Sequence, residues 1–152
     1  MNILRSCSIG CAALLVTSCG AMSRDEIKTT TQNYILFLDY CGAANNFGES
    51  SLGKEFMSAA HPACTKTING KIVASNLDGI MNQITNARST FGSWRIDMNS
   101  LHIIVDSDEQ ITESRFIFTS GKDNKSYIVS ARLSFKDGKI ISIKDVHSVK
   151  EK

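Results

Sequence analysis

The chain has 152 residues, of which 42% are hydrophobic and 21% charged, with a formal net charge of +2. This length and balance fit one globular domain and exclude a disordered or fibrous chain. Basic and acidic residues alternate along the chain, which excludes the clustered Lys/Arg surface that a nucleic acid or another polyanion would need.

Met1 to Ser6 carries a single charge, Arg5, and leads into the apolar run Ile9 to Val16. The run is far shorter than the roughly 20 residues a helix needs to cross a bilayer, so it reads as the hydrophobic region of a signal peptide. Val16-Thr17-Ser18-Cys19 resembles the lipobox of bacterial lipoproteins. The resemblance implies that residues 1–18 are removed, that Cys19 carries diacylglycerol and an N-acyl chain, and that residues 19–24 form a lipidated tether. Cysteine suits this role because its thiolate is a strong nucleophile. Several acyl chains then give a stable membrane anchor, where one gives only a marginal one. Gly20, in place of an acidic residue, resembles the sorting pattern of outer-membrane lipoproteins. The expected location is therefore the cell envelope, facing the periplasm, with the outer membrane preferred to the inner. The competing reading is an ordinary secretory signal cleaved nearby, with Cys19 incidental.

Of five cysteines, Cys7 and Cys11 lie in the signal and Cys19 takes the lipid, which leaves Cys41 and Cys64. In an oxidising compartment these two are disulfide candidates, and closing their loop would stabilise the fold by roughly 3 kcal/mol. Two buried free thiols are the alternative. His61 and Cys64 have an H-x-x-C spacing, but no second pair completes a tetrahedral set, so no metal or other cofactor is expected.

The first helix is expected from Arg24 or Asp25, with Ser23 as N-cap and Asp25 and Glu26 in the first turn. Ile27, Thr31, Tyr34, Leu38 and Cys41 recur at helical spacing, and the helix should end near Gly42. A shorter helix is expected from Ser51 to about Ala60, stopped by Pro62. Thr67 to Val73 reads as a short strand or an extended connection. A third helix, capped by Ser75 or Asn76, carries the stripe Leu77, Ile80, Met81, Ile84 and Ala87, with Gly92 just past its end. Beyond it the apolar period becomes two, giving four strands: Trp94 to Asp106, Ile111 to Ser120, Lys125 to Lys136 and Lys139 to Val149.

Asp137-Gly138 is a type I′ hairpin signal that pairs Lys136 with Lys139 and Phe135 with Ile140. The Gly121 to Asn124 loop pairs Phe118 with Tyr127 and Phe116 with Val129. In the first strand Trp94, Ile96 and Met98 alternate on one parity and Leu101, Ile103 and Val105 on the other. That change of phase near Asn99-Ser100 predicts a bulge.

The order of elements, with YILFLDYC, NLDGIMNQI, WRIDMNSLHIIVD, SRFIFTS, SYIVSARLSF and DGKIISI, resembles the NTF2-like superfamily, above all its SnoaL-like and ketosteroid-isomerase-like branches. The resemblance covers residues 25–150. It implies an α+β cone in which three N-terminal helices pack in a curved four-stranded antiparallel sheet, with a pocket at one end.

Enzymes of the superfamily place a carboxylate base or an Asp/His pair inside the cone, beside a Tyr that stabilises an enolate oxygen, as the chemistry requires. No catalytic residue can be assigned here. Asp97 faces outward by parity, Asp106, Asp108 and Glu109 sit at a hairpin end, and Asp39 lies off the helix stripe. His61 precedes Pro62, His102 falls at the bulge, and the Asp-Gly register sends His147 outward. The same register directs Lys144 inward opposite Ala131, with Ser142. Tyr34, Trp94, Tyr127 and Lys144 are therefore the candidate pocket-lining residues, with core packing as the competing role for the aromatic ones. Ile117, Ile128, Ile141 and Ile143 are expected on the outer face, where they would suit a homodimer. Two functions remain: a non-catalytic lipoprotein that binds a small apolar ligand or a protein partner, and a SnoaL-like enzyme using acid/base chemistry on a small hydrophobic substrate.

Overall fold

A computed structural model describes residues 20–45 and 47–151. The signal segment and Cys19 lie outside the described residues.

Helix α1 (Arg24–Ala43) begins with a reciprocal capping box, in which the Ser23 and Glu26 side chains each accept the other's backbone N–H. Two of the N–H groups that a helix start leaves unpaired are satisfied this way. The other end lacks a basic residue of its own, and Arg88 supplies the charge: its guanidinium donates to the carbonyls of Cys41 and Ala44, both at 2.8 Å. A 3₁₀ turn (Phe47–Glu49) leads to helix α2 (Ser51–Ala59), whose Phe56 stacks on Phe37 at 5.0 Å.

The chain then forms a hairpin, β1 (Ala60–Ile68) and β2 (Lys71–Ala74), in place of the single short strand or connection expected over Thr67 to Val73. Asn69 and Gly70 both have positive φ, as a two-residue type I′ turn demands. Pro62 lies within β1 rather than simply ending the helix before it. The ladder to the neighbouring strand is interrupted between Ala60 and Thr65, where proline has no N–H to give. Helix α3 (Leu77–Phe91) is capped by Asn76 and closed by Gly92 at φ 68°.

Strands β3 (Trp94–Asp106), β4 (Ile111–Ser120), β5 (Ser126–Lys136) and β6 (Lys139–Val149) form the antiparallel meander. The sheet has six strands, ordered β2-β1-β6-β5-β4-β3, not four. The added pair joins through β1, which runs parallel to β6. The expected pairs Phe116 with Val129, Phe118 with Tyr127 and Phe135 with Ile140 are all present. The β3 bulge is present too, between Asp97 and His102, where the Ser100 hydroxyl accepts the N–H of Ile117 at 2.8 Å.

A second bulge was not anticipated. In β6, Phe135 pairs with Ile140 but Ser134 pairs with Ser142, so Ile141 is an extra residue and the phase reverses beyond it. Because side chains alternate with period two, one inserted residue exchanges the two faces. Ile143 is thus fully buried opposite Leu133, not on the outer face. Lys144 is exposed and pairs with Arg132, not inward opposite Ala131; that inward place belongs to Asp145.

At the far end of the meander Gln110, at φ 53°, grips the segment preceding α1. Its carboxamide accepts from the Met22 N–H at 2.8 Å and donates to the Met22 carbonyl at 3.0 Å. This fixes where the N-terminal segment leaves the domain.

Candidate ligand cavity and its buried ion pair

Between α3 and the inner face of the sheet lies a cavity of about 580 Å³, within the range of small-molecule sites. Its wall is mainly apolar: Leu38, Ile84, Phe91, Trp94, Ile96, Phe116, Phe118 and Val129. Asn82, Asn86 and Thr90 recur every four residues along α3 and are exposed, so they form an uncharged polar lip. Trp94 is held in the wall by its indole N–H, which donates to the Leu38 carbonyl at 2.9 Å.

Lys66 of β1 and Asp145 of β6 face each other in this wall at 3.2 Å, each only 4% exposed. The Lys66 ammonium also donates to the Tyr34 hydroxyl at 3.2 Å and lies over that ring. The Asp145 carboxyl is held below the usual carboxylate range. Burial, the largest single influence, pushes it up, but the Lys66 charge in direct contact and the nearby His147 together outweigh burial. Burial likewise opposes the Lys66 charge, and the Tyr34 oxygen and Asp145 carboxylate more than restore it. Lys66 is therefore a fixed cation, not an amine nucleophile. Burial raises Tyr34 above its usual range, so it stays a neutral phenol.

One oxygen of each of two wall residues lacks a partner: Asp145 Oδ1 and Gln83 Oε1. His147, also in the wall, places Nε2 3.9 Å from Asp145 Oδ2. The β6 bulge brings His147 inward, against the outward position expected for it, and brings Asp145 with it. Sequence reasoning missed Lys66, Asp145 and Gln83. The consecutive Ile140-Ile141 was the available sign of the bulge; Lys66, between two threonines, gave none.

The other expected site residues are dispersed. Trp94 lines the cavity. Tyr127 stacks on Phe118 at 5.0 Å, and Tyr34 sits beyond Lys66; neither is among the lining residues. Lys144 is on the opposite face of the sheet. Asp39 accepts from the Ile96 N–H at 2.7 Å and faces Arg95. Asp97 accepts within the β3 bulge and Asp106 within the β3–β4 turn. His61 and His102 are exposed.

Cys41 and Cys64 are separate buried thiols in place of the expected disulfide. A bridge needs facing Cβ atoms about 4 Å apart, whereas the Cys64 thiol turns to the Thr65 carbonyl of its own strand. Burial raises both, Cys41 to about 12 and Cys64 to about 11, which leaves them inert as nucleophiles near neutrality. His61 is exposed while Cys64 is buried, so the H-x-x-C spacing does not converge on a metal.

The ion pair predicts a pH profile. The depressed Asp145 contributes stability that is present above the unfolded value of about 4 and lost as pH falls through its lower folded value. Lys66 and Tyr34, both raised, contribute stability present below about pH 10 and lost as pH climbs through their folded values. Cys41 and Cys64, raised as well, start the alkaline fall near their unfolded value of about 8.5, so the urea midpoint should be flat between about pH 5 and 8 and fall on both sides. A midpoint that peaks sharply inside that window would contradict this placement of charge.

No protein-family model and no curated relative matches the sequence. Solved structures do resemble the fold. A protein of unknown function with a cystatin-like fold from Methylobium petroleophilum PM1 aligns with a TM-score of 0.63 at 14% identity, covering 88% of this chain and 82% of that one. A protein assigned as a SnoaL-like polyketide cyclase from Jannaschia sp. CCS1 gives 0.63 at 9%, covering 85% and 92%. An NTF2-like protein of unknown function from Exiguobacterium sp. 255-15 gives 0.60 at 14%, covering 78% and 98%. At these identities the likeness concerns architecture alone, and it establishes that the described chain is a mixed α+β domain of the NTF2-like, cystatin-like fold.

Proposed function

We propose that the protein is an envelope lipoprotein, anchored through Cys19, whose NTF2-like domain holds a small, largely apolar molecule in the cavity under α3. The observation that carries the ligand reading is the cavity's composition: aromatic and aliphatic walls, an uncharged lip, and a single Lys66–Asp145 pair whose charges cancel. A site that must abstract protons needs a base near neutrality, and Asp145 is held far from that by Lys66. The anchor reading rests on the Val16 to Cys19 motif.

Trp94 is the sole tryptophan in the sequence and stands in the cavity wall, so it reports occupancy. Titration with N-phenyl-1-naphthylamine should quench Trp94 emission saturably through energy transfer to the bound dye. Absence of saturable quenching would sink the ligand reading. For the anchor, labelled palmitate should enter the wild-type protein and not the Cys19→Ser variant, which should also leave the membrane fraction. Equal fractionation of the two would remove it.

His147 beside Asp145 favours a second reading, an acid/base enzyme acting on a small hydrophobic substrate. The assay is conversion: a co-purifying small molecule that changes mass on incubation with wild-type protein, but not with His147→Ala, would establish it. A homodimer through the outer sheet face now has Ile117, Ile128 and Ile141 to draw on, since Ile143 belongs to the core.

A further inference from the structure

The cavity wall has an imbalance of hydrogen-bonding capacity. An ionised carboxylate offers about four acceptor positions. Asp145 uses one oxygen on Lys66, while Oδ1, buried in a residue 96% removed from solvent, has no partner. Gln83 of α3 contributes a second unpartnered buried oxygen to the same wall. The Lys66 ammonium is bonded to Asp145 and Tyr34 and the Trp94 indole to Leu38, while His147 Nε2 stands 3.9 Å from Asp145 Oδ2, beyond hydrogen-bonding distance. What these two oxygens lack is a donor within reach, and a buried acceptor left unpaired costs free energy until one arrives.

We propose that the cavity selects an apolar molecule bearing a hydroxyl or N–H group that donates to Asp145, with Gln83 as a second acceptor, over isosteres ending in a carbonyl or carboxylate. This deepens the ligand reading and rests on it. A ketone of the same skeleton brings a further acceptor and leaves both oxygens unpaired. A carboxylate adds like charge beside Asp145 in an apolar enclosure, where the Lys66 charge is already matched. An alcohol brings the missing proton and no charge. Asp145 binds its proton from the ligand as a hydrogen bond only; no bond is made or broken.

The test compares three probes on one skeleton: 2-decalol, 2-decalone and decalin-2-carboxylate, titrated calorimetrically and by Trp94 emission. A hydrogen bond to a charged acceptor is worth at least about a factor of ten in affinity, so the alcohol should bind the wild-type protein at least about tenfold more tightly than either isostere. Asp145→Asn alone would strand Lys66 and endanger folding, so the preference is examined in the double variant Lys66→Met/Asp145→Leu, which removes both charges together, and in Gln83→Leu. The preference should vanish in the double variant and weaken in Gln83→Leu. Equal binding of all three probes to wild type, or an alcohol preference that survives the double variant, overturns the donor proposal while leaving the cavity as a ligand site. If none of the three binds and the naphthylamine dye also fails, the ligand reading and the donor proposal fall together.

Discussion

Replacing Lys66 with Met should lower the stability of the domain by about 3–5 kcal/mol, the cost of stranding a buried charge. The geometry behind this figure is the 3.2 Å contact between two side chains each 4% exposed, with Tyr34 as the ammonium's other partner. Met keeps the length of the stem, so little of the loss would come from packing. The double variant Lys66→Met/Asp145→Leu should recover most of it, because removing both charges of a buried pair is often neutral or stabilising. The single variant should also acquire a new pH dependence. Without Lys66, burial raises the Asp145 carboxyl above its unfolded value, so the folded state binds the extra proton and stability should rise as pH is lowered from 7 to 5. Chemical denaturation of the three proteins at both pH values checks all of this. A double variant no more stable than the single one would show that the two residues act independently.

Gly42→Ala should cost about 3 kcal/mol, at the upper end for overpacking. Gly42 lies in the last turn of α1 against β3, and a methyl group there would overlap the backbone carbonyl and the indole of Trp94. Backbone cannot swing aside as a flexible side chain can. Relief would require α1 and β3 to separate, and the bond from the Trp94 indole to Leu38 would lengthen with them. Thermal unfolding reads the loss, and a red shift of Trp94 emission reads the displacement at the cavity wall. A variant with unchanged melting temperature and emission would show that α1 and β3 do not approach as closely as described.

Much of this architecture was legible because it depends on local chemistry. Ser23 with Glu26, Asn76 and Gly92 mark helix ends by hydrogen bonding and backbone preference, and the structure places α1 and α3 at those marks. The Asp137-Gly138 turn set the first pairs of β5 with β6 correctly. The β3 bulge was visible because apolar residues stand on both sides of it in opposite phase. The β6 bulge was not, since Ile140, Ile141 and Ile143 satisfy either phase and, of the residues that follow, Val146 and Val149 fall one on each. Reading Lys144 inward and His147 outward followed from carrying the turn register past that hidden residue. A buried Asp looks like a surface Asp in sequence; only the long-range pairing with Lys66 distinguishes them. Asn69-Gly70 was a legible hairpin signal, but the strand it serves includes Pro62, a residue that argues against a strand.

The grip of Gln110 on Met22 sets how the molecule stands. Phe118, on the cavity wall, lies roughly 25 Å of strand away from that grip. With the proposed anchor at Cys19, only Gly20 and Ala21 intervene before Met22, a rope of at most about 10 Å that would keep the Gln110 end of the sheet close to the point of attachment. The cavity wall at Phe118 and the attachment would then sit toward opposite ends of β4, and a passenger would enter the domain some way along the sheet from its mooring.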